Sequence, residues 1–155
     1  TSRFLTLTKG TGVINRIFHG YGKFEGEMDG RKNGALISMA TGKAVAFAIF
    51  NLQARGEMFV THNDPVYEGM IVGLAPKPGD MIINVMKGKQ LTNMRTQGTD
   101  ENVVLTPVRQ MSIAEQLSML NTDEALEITP KSLRLRKAIL NPNDRKKNEK
   151  SSTPL

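Results

Sequence analysis

Residues 35–56, ALISMATGKAVAFAIFNLQARG, decide the fold class because they place a short strand directly before an apolar helix. The first five of these residues have the composition of a strand. Thr41-Gly42-Lys43 is expected to open a helix to about Arg55, with Gly56 as its C-terminal stop. The helix is apolar on nearly every face until Asn51, so we expect it to be buried.

Short strand patterns recur through the rest of the chain. They lie at residues 57–60, 70–74, 81–86, 102–106, 126–129 and 132–136. Ser112 and Glu115 have the spacing of a capping box and predict a helix to about Leu120. Arg134 and Arg136 alternate with leucines, which places both on one strand face. Many short strands with two to three helices predict a β-rich α+β fold, either a curled sheet or a small β-barrel-like domain.

The first 24 residues have a pattern of their own. Residues 3–8 (RFLTLT) and 13–18 (VINRIF) predict two strands joined through a glycine-containing hairpin at residues 9–12. The chain starts at Thr1 rather than at a methionine, in the middle of a strand pattern. We therefore expect an excised piece of a longer protein.

The composition argues against several classes of function. A chain of 155 residues is one domain, or one domain with a fragment of another. It has no cysteine, which excludes disulfides, cysteine-ligated zinc and thiol catalysis. No run approaches the ~20 apolar residues of a membrane helix. His19 and His62 lack a metal-ligand spacing, and Glu25 and Glu27, in a glycine-rich turn, suit a solvated charge pair better than acid–base catalysis.

Gly42-Lys43 resembles the end of a phosphate-binding loop, but the rest of that motif is missing. Ile37 and Ala44 stand where the motif requires a glycine and a serine or threonine. A helix N-terminus beside Lys43 would still suit an anion. The alternative is a buried helix with Lys43 in solvent.

Residues 87–100, KGKQLTNMRTQGTD, predict a long loop between two apolar runs. The segment contains Lys87, Lys89 and Arg95 and no acid before Asp100. Loops of this length in compact domains are usually functional or disordered. Positive charge together with amide side chains suits a nucleic-acid backbone, and the alternative is a solvated hairpin tip.

The net charge of +6 lies wholly in the last 25 residues. Residues 1–130 contain 13 Lys or Arg and 13 Asp or Glu, whereas residues 131–155 contain 8 against 2. Residues 141–155 have almost no apolar content and are predicted to be disordered. Such a basic tail favours polyanions, or it serves only to solubilise the chain.

Several segments resemble the C-terminal end of the BipA/TypA family of ribosome-associated translational GTPases. The segments are GRKNGALIS (30–38), TGKAVAFAIFNLQARG (41–56), VYEGM (66–70), KGKQLTNMRTQGTDE (87–101), VLTP (104–107) and EITPKSLRLRK (127–137). Two features depart from the family pattern: Asp29-Gly30 replaces Gly-Gln, and residues 74–80 differ.

The resemblance implies three parts. Residues 1–24 would be the end of a ferredoxin-like domain like domain V of elongation factor G, residues 25–140 the family's C-terminal domain, and residues 141–155 the basic tail. The parent protein would bind GTP and Mg²⁺ through a domain that this chain lacks. The fragment itself has no P-loop. We therefore expect neither enzymatic activity nor a bound cofactor in this chain.

The resemblance also implies partners and site residues. A cytoplasmic, monomeric parent would bind the 70S ribosome, with its C-terminal loop along the acceptor end of a tRNA and against large-subunit rRNA, in translation or ribosome assembly under stress. The residues carried over as RNA-facing are Asn84, Lys89, Gln90, Asn93, Arg95 and Arg109, and Lys87 joins them on its charge. The rival hypothesis is a protein-interaction module whose basic tail binds an acidic partner.

Overall fold

The computed structural model describes residues 2–24, 31–88 and 104–152, which form four helices and eight strands. The helices are α1 (Ser2–Leu7), α2 (Ala46–Gln53), α3 (Ile113–Ser118) and α4 (Pro142–Ser152). The strands are β1 (Ala35–Ser38), β2 (Gly42–Lys43), β3 (Glu57–Met58), β4 (Pro65–Val66), β5 (Ile71–Leu74), β6 (Met81–Ile83), β7 (Glu124–Ile128) and β8 (Leu133–Lys137).

The centre of the fold is an open four-stranded sheet in the order β3-β5-β1-β6. β5 is antiparallel to both β3 and β1, whereas β6 is parallel to β1. A register shift between Leu36 and Ile37 interrupts the β1–β5 pairing. β2 with β4 and β7 with β8 form two further antiparallel pairs. The described residues form no closed barrel. Of the two predicted architectures, the curled sheet is therefore confirmed.

The two faces of the central sheet pack against different layers. Leu36 and Val72 point to one face, in a cluster that includes Ile49 from α2. Ile37 and Ile71 point to the other face and pack with Leu135 from β8. All four β1 residues are buried because a strand covered on both faces has no solvent side.

A buried ion cluster joins the β7–β8 pair to the central sheet. The Lys137 ammonium, 2% exposed, lies 2.5 Å from Asp80, 2.6 Å from Asp123 and 3.0 Å from Glu124. Arg31 pairs with the other side of the cluster at 2.7 Å from Glu124. Burial alone would lower the pKa of Lys137, but hydrogen bonds to the three carboxylates outweigh it and raise that pKa.

The locally specified elements are confirmed. Strands lie at the predicted positions around residues 35–38, 57–58 and 71–74. Ser112 caps α3 and Glu115 completes the capping box. β7 and β8 form at the two predicted strand positions and pair with each other, and Arg134 and Arg136 lie on one face of the pair, opposite Glu127 and Ala125.

The predicted start, stop and full burial of this helix are wrong, since only Ala48 and Ile49 of α2 are buried and Phe50 is 48% exposed. Gly42 and Lys43 pair with β4, a partner distant in sequence, so α2 begins only at Ala46. Gly56 is not a left-handed stop. A Cβ there would lie 2.0 Å from the Leu74 carbonyl oxygen, so the position requires a glycine for close strand approach.

Two strand predictions near the basic loop also need correction. The strand predicted at 81–86 ends at Ile83, because the Asn84 carboxamide accepts from the Met86 backbone N–H and turns the chain. Residues 104–106 form no strand. The start of that predicted strand, residues 102–103, lies outside the described residues.

The predicted strands at 3–8 and 13–18 are wrong. Residues 2–7 form α1, which ends where Lys9 and Gly10 have positive φ, and residues 13–18 have no regular structure. A strand requires a neighbour for its backbone groups, and no described strand pairs with either segment. Neither core cluster contains a residue before Ala35.

The predicted disorder of residues 141–155 is contradicted over Pro142–Ser152, which form α4. The Asn141 carboxamide accepts from the backbone N–H groups of Asn143 and Asp144, and Pro142 occupies the first helical position. The Arg145 guanidinium donates to the Ile139 and Leu140 carbonyls. These capping hydrogen bonds therefore stabilise a helix that has almost no apolar side chains to bury.

Candidate nucleic-acid interface

Three of the predicted site residues, Lys43, Asn84 and Lys87, lie together where the described chain leads into residues 89–103. Val45 donates its backbone N–H to the Val85 carbonyl at 2.9 Å, which aligns the β2–α2 connection with the chain after β6. Gly42 packs against the Met86 thioether. Lys43 and Lys87 follow these two contacting residues and are both exposed. Two positive charges thus flank the beginning of the predicted loop.

Asn84 acts at the base of this segment through its side chain. Its Oδ1 accepts from the Met86 backbone N–H at 2.9 Å, and the residue is half-buried. This bond fixes the turn that carries the chain from β6 to Lys87. The described geometry gives Asn84 a positioning contact, and its predicted RNA contact stays a prediction.

Arg109 lies at the other edge of the sheet from Asn84. Its guanidinium is 3.9 Å from Glu57 on β3 and 3.4 Å from Glu115 on α3. β3 and β6 are the two edge strands, roughly 14 Å apart at three strand spacings. Arg109 therefore lies apart from Lys43, Asn84 and Lys87.

The other predicted RNA-facing residues, Lys89, Gln90, Asn93 and Arg95, lie outside the described residues. Their assignments rest on sequence alone.

Lys43 has a different setting from the predicted helix N-terminus. It lies on β2, three residues before α2 begins. The first helical N–H group, on Ala46, donates to His62 Nδ1 at 3.2 Å. One of the free N–H groups that the anion hypothesis used is therefore occupied.

A second polar surface, which the sequence did not reveal, covers the outer face of the β7–β8 pair. The Tyr67 hydroxyl donates to Glu127 at 2.5 Å, and the Arg134 guanidinium donates to the same carboxylate at 3.3 Å. Burial and the hydrogen bond to Glu127 raise the pKa of Tyr67 to about 12. The hydrogen bond from Tyr67, together with Arg134, lowers the pKa of Glu127.

Arg136 adds a second positive charge to this face. It lies across from Ala125, and among residues 2–24, 31–88 and 104–152 no acid comes within ion-pair distance of it. The alternation of residues 133–137 in the sequence indicates which side chains lie on each face of β8. The pattern that places two arginines outward also places Lys137 inward beside the leucines.

α4 carries basic residues on the surface. Lys146 and Lys150 are exposed, and no described acid lies within ion-pair distance of either side chain. Lys147 lies 3.7 Å from Asp144. This helix gives the rival tail hypothesis a definite structure.

The described residues hold no group of three or more His, Asp or Glu side chains that could bind a metal ion. None of the described helices is both long enough and apolar enough to cross a bilayer.

The fold and its surface define an open-sheet α+β domain that presents Lys43 and Lys87 where the described chain leads into residues 89–103. The chain belongs to the TypA/BipA C-terminal domain family, whose model matches residues 33–142.

Relatives of this chain are named as ribosome assembly factors. The chain is 48% identical over 155 residues to the large ribosomal subunit assembly factor BipA of Buchnera aphidicola, a match to 99% of this chain and 26% of that protein. For the factor of the same name from Salmonella typhimurium the identity is 47%, over 94% of this chain and 24% of that protein. The chain thus spans about a quarter of the length of these curated relatives.

Proposed function

We propose that this chain is the ribosome-docking C-terminal region of a translational GTPase. It contacts large-subunit rRNA and the acceptor end of a tRNA through residues 87–100. One observation carries the proposal: relatives of this chain are named large ribosomal subunit assembly factors, and they match it across the basic segment. The exposed Lys87 at the start of that segment supports a polyanionic partner.

The residues of the segment divide into two roles. Lys87, Lys89 and Arg95 neutralise phosphates, because fixed positive charge supplies most of the affinity for an RNA backbone. Gln90 and Asn93 orient the segment through neutral hydrogen bonds. The described contact of Asn84 supports a third role, since it sets the direction in which the segment leaves the sheet.

Lys43 and Arg109 extend the proposed contact in opposite directions. Lys43 lies beside the loop base and is free to meet a neighbouring phosphate. Arg109 is held by Glu57 and Glu115, so an RNA contact there must replace or share those ion pairs. We therefore expect Arg109 to contribute less to binding than Lys89 or Arg95.

The wider assignment concerns the parent protein. We propose that it binds GTP and Mg²⁺ through a separate domain, docks on the 70S ribosome or its large subunit in the cytoplasm, and supports ribosome assembly or translation under stress. Residues 1–24 would end its elongation-factor-G-like domain, and the chain would act as a monomer. Neither core cluster contains a described side chain before Ala35, although α1 contacts α3, and this supports a separate origin for the first 24 residues.

The test compares two double variants that remove equal charge. Lys89→Ala with Arg95→Ala alters the loop, and Lys146→Ala with Lys150→Ala alters α4. The binding of each variant to purified large subunits is measured by co-sedimentation at fixed salt. The loop variant is expected to lose roughly 100-fold in affinity, since each hydrogen bond to a charged group contributes about 1.5 kcal/mol. The α4 variant is expected to bind like the unaltered chain.

The same pair of variants tests the rival function, in which α4 binds an acidic protein partner. The exposed Lys146 and Lys150 favour that alternative. Loss of binding in the α4 variant, with the loop variant unaffected, would overturn docking through the loop.

A further inference from the structure

The sequence contains one Asn-Gly pair, Asn33-Gly34, immediately before β1. In such a pair the backbone nitrogen of the glycine can attack the side-chain carboxamide of the asparagine, because a glycine has no side chain to hinder the approach. A C–N bond forms and ammonia leaves, and water then opens the succinimide ring to an aspartate or an isoaspartate. The pair is therefore a candidate site of spontaneous modification.

Hydrogen bonds hold both reacting groups of this pair. The attacking atom, the Gly34 nitrogen, donates its hydrogen to the Lys77 carbonyl at 2.9 Å. The leaving group, the Asn33 Nδ2, donates to the Ala75 carbonyl at 3.0 Å. Attack requires the nitrogen to lose its proton and to approach the side-chain carbonyl carbon, so these two hydrogen bonds oppose the reaction.

Further hydrogen bonds tie this part of the chain to residues 75–80. The Ala75 N–H donates to the Gly34 carbonyl at 2.9 Å, and the Ala35 N–H donates to Asp80 Oδ1 at 2.7 Å. We call the hydrogen bonds between residues 33–35 and 75–80 the β1 anchor. Asn33 is exposed to water whereas Gly34 is buried, so opening of the β1 anchor, rather than access of water to the carboxamide, limits the reaction.

We propose that Asn33-Gly34 is a conditional deamidation site, which reacts when the β1 anchor opens and stays intact while the anchor is closed. The net change replaces the carboxamide with a carboxylate and consumes one water for each ammonia released. The reaction needs no enzyme, oxidant or cofactor. It goes beyond the proposed ribosome docking and does not depend on it.

Neither product can restore the β1 anchor as it stands. An aspartate has no side-chain N–H group for the Ala75 carbonyl and places a carboxylate oxygen there instead. An isoaspartate adds a methylene to the backbone next to Gly34, where even a Cβ would lie 1.8 Å from the Gly79 carbonyl oxygen. The reaction therefore converts a temporary opening of the anchor into a permanent one.

The test measures deamidation at residue 33 of the full 155-residue chain by mass spectrometry, after incubation at mildly basic pH. Samples are digested with pepsin at acid pH, where the Gly34 nitrogen keeps its proton and the reaction stops. The chain unfolded in urea is expected to react roughly 100-fold faster than the folded chain, because protection follows the free energy of local opening. Asn33→Gln, which would have to form a larger ring, should react in neither state.

Two matched variants separate opening of the β1 anchor from a general loss of stability. Asp80→Ala removes the acceptor of the Ala35 N–H, and Asp64→Ala removes the acceptor of the Thr61 N–H, which lies 2.6 Å from that carboxylate. Asp80→Ala should speed deamidation of the folded chain about tenfold, the effect of one hydrogen bond to a charged group. Asp64→Ala should leave the rate unchanged.

Hydrogen exchange at the Gly34 amide of the unaltered chain gives a second measurement that needs no variant. Because the same opening frees this N–H group, its exchange should be slowed by a factor similar to that for deamidation. Equal deamidation in the folded and unfolded chains would show that the β1 anchor does not protect the pair, and no reaction in urea would show that the pair is not a modification site. Deamidation suppressed far more or far less than Gly34 exchange, or equal rates for Asp80→Ala and Asp64→Ala, would exclude opening of the anchor as the controlling step.

Discussion

Lys137 shows how much a single residue contributes to this fold. Its ammonium is almost wholly buried among Asp80, Asp123 and Glu124, which come from two separate parts of the chain. A buried charge is tolerated only when it is paired and hydrogen-bonded. Lys137 therefore tethers β8 to the connection that leads into β6.

Replacing Lys137 with methionine should destabilise the protein by about 3 kcal/mol, because Asp80, Asp123 and the buried Glu124 lose the cation that they share, and Glu124 keeps Arg31 as its partner. The free energy of unfolding in urea measures the effect. Lys131→Met, at an exposed position, is the control and should change stability by less than about 0.5 kcal/mol. A loss below about 1 kcal/mol for Lys137→Met would show that the cluster does not tether the hairpin.

The Tyr67 phenol should lose its proton at a higher pH than an ordinary tyrosine does. Its pKa is raised to about 12 by burial and by the hydrogen bond to Glu127, against an ordinary value of 10.0. The neutral phenol therefore stabilises the folded state below about pH 10, and this contribution is lost as the pH rises towards 12. The difference in tyrosinate absorbance between the unaltered chain and Tyr67→Phe should have its midpoint near pH 12, and a midpoint near 10 would contradict the buried contact.

At the scale of elements, local chemistry predicted some segments and failed for others. Ser112 and Glu115 specify α3 within four residues, and alternation specifies β8, so both were readable from the sequence. β2 and β4 were missed because each is two residues long and exists only through pairing between distant segments. Gly56 was misread for the same reason, since its neighbour Leu74 is distant in sequence.

α4 depends on its cap more than a buried helix would. None of its residues belongs to either core cluster, and isolated helices of this length are marginal in water. Asn141→Ala removes the acceptor for the Asn143 and Asp144 N–H groups and should cost about 1 kcal/mol. Amide exchange should then speed up in residues 142–152 alone.

Asn141→Asp is the matched control, because it keeps an acceptor at the cap. Exchange at α4 should then stay close to that of the unaltered chain. Unchanged exchange in Asn141→Ala would show that packing rather than the cap holds the helix.

At the scale of the whole molecule, the sequence predicted the fold class, whereas the roles of the RNA-facing residues stay predictions. The curled sheet followed from many short strands, and Lys87 followed from its run of unbalanced charge. The separation of Asn84 from Arg109 could not be predicted, because it depends on β6 and β3 taking opposite edges of the sheet.

The most direct test of RNA docking is the salt dependence of binding to purified large ribosomal subunits. Three or four phosphate contacts predict a log–log slope of about −2 to −4, from −0.7 to −0.9 per contact. Removing Lys89 and Arg95 together should make the slope shallower by about 2. A slope near zero for the unaltered chain would contradict phosphate contact by the basic segment.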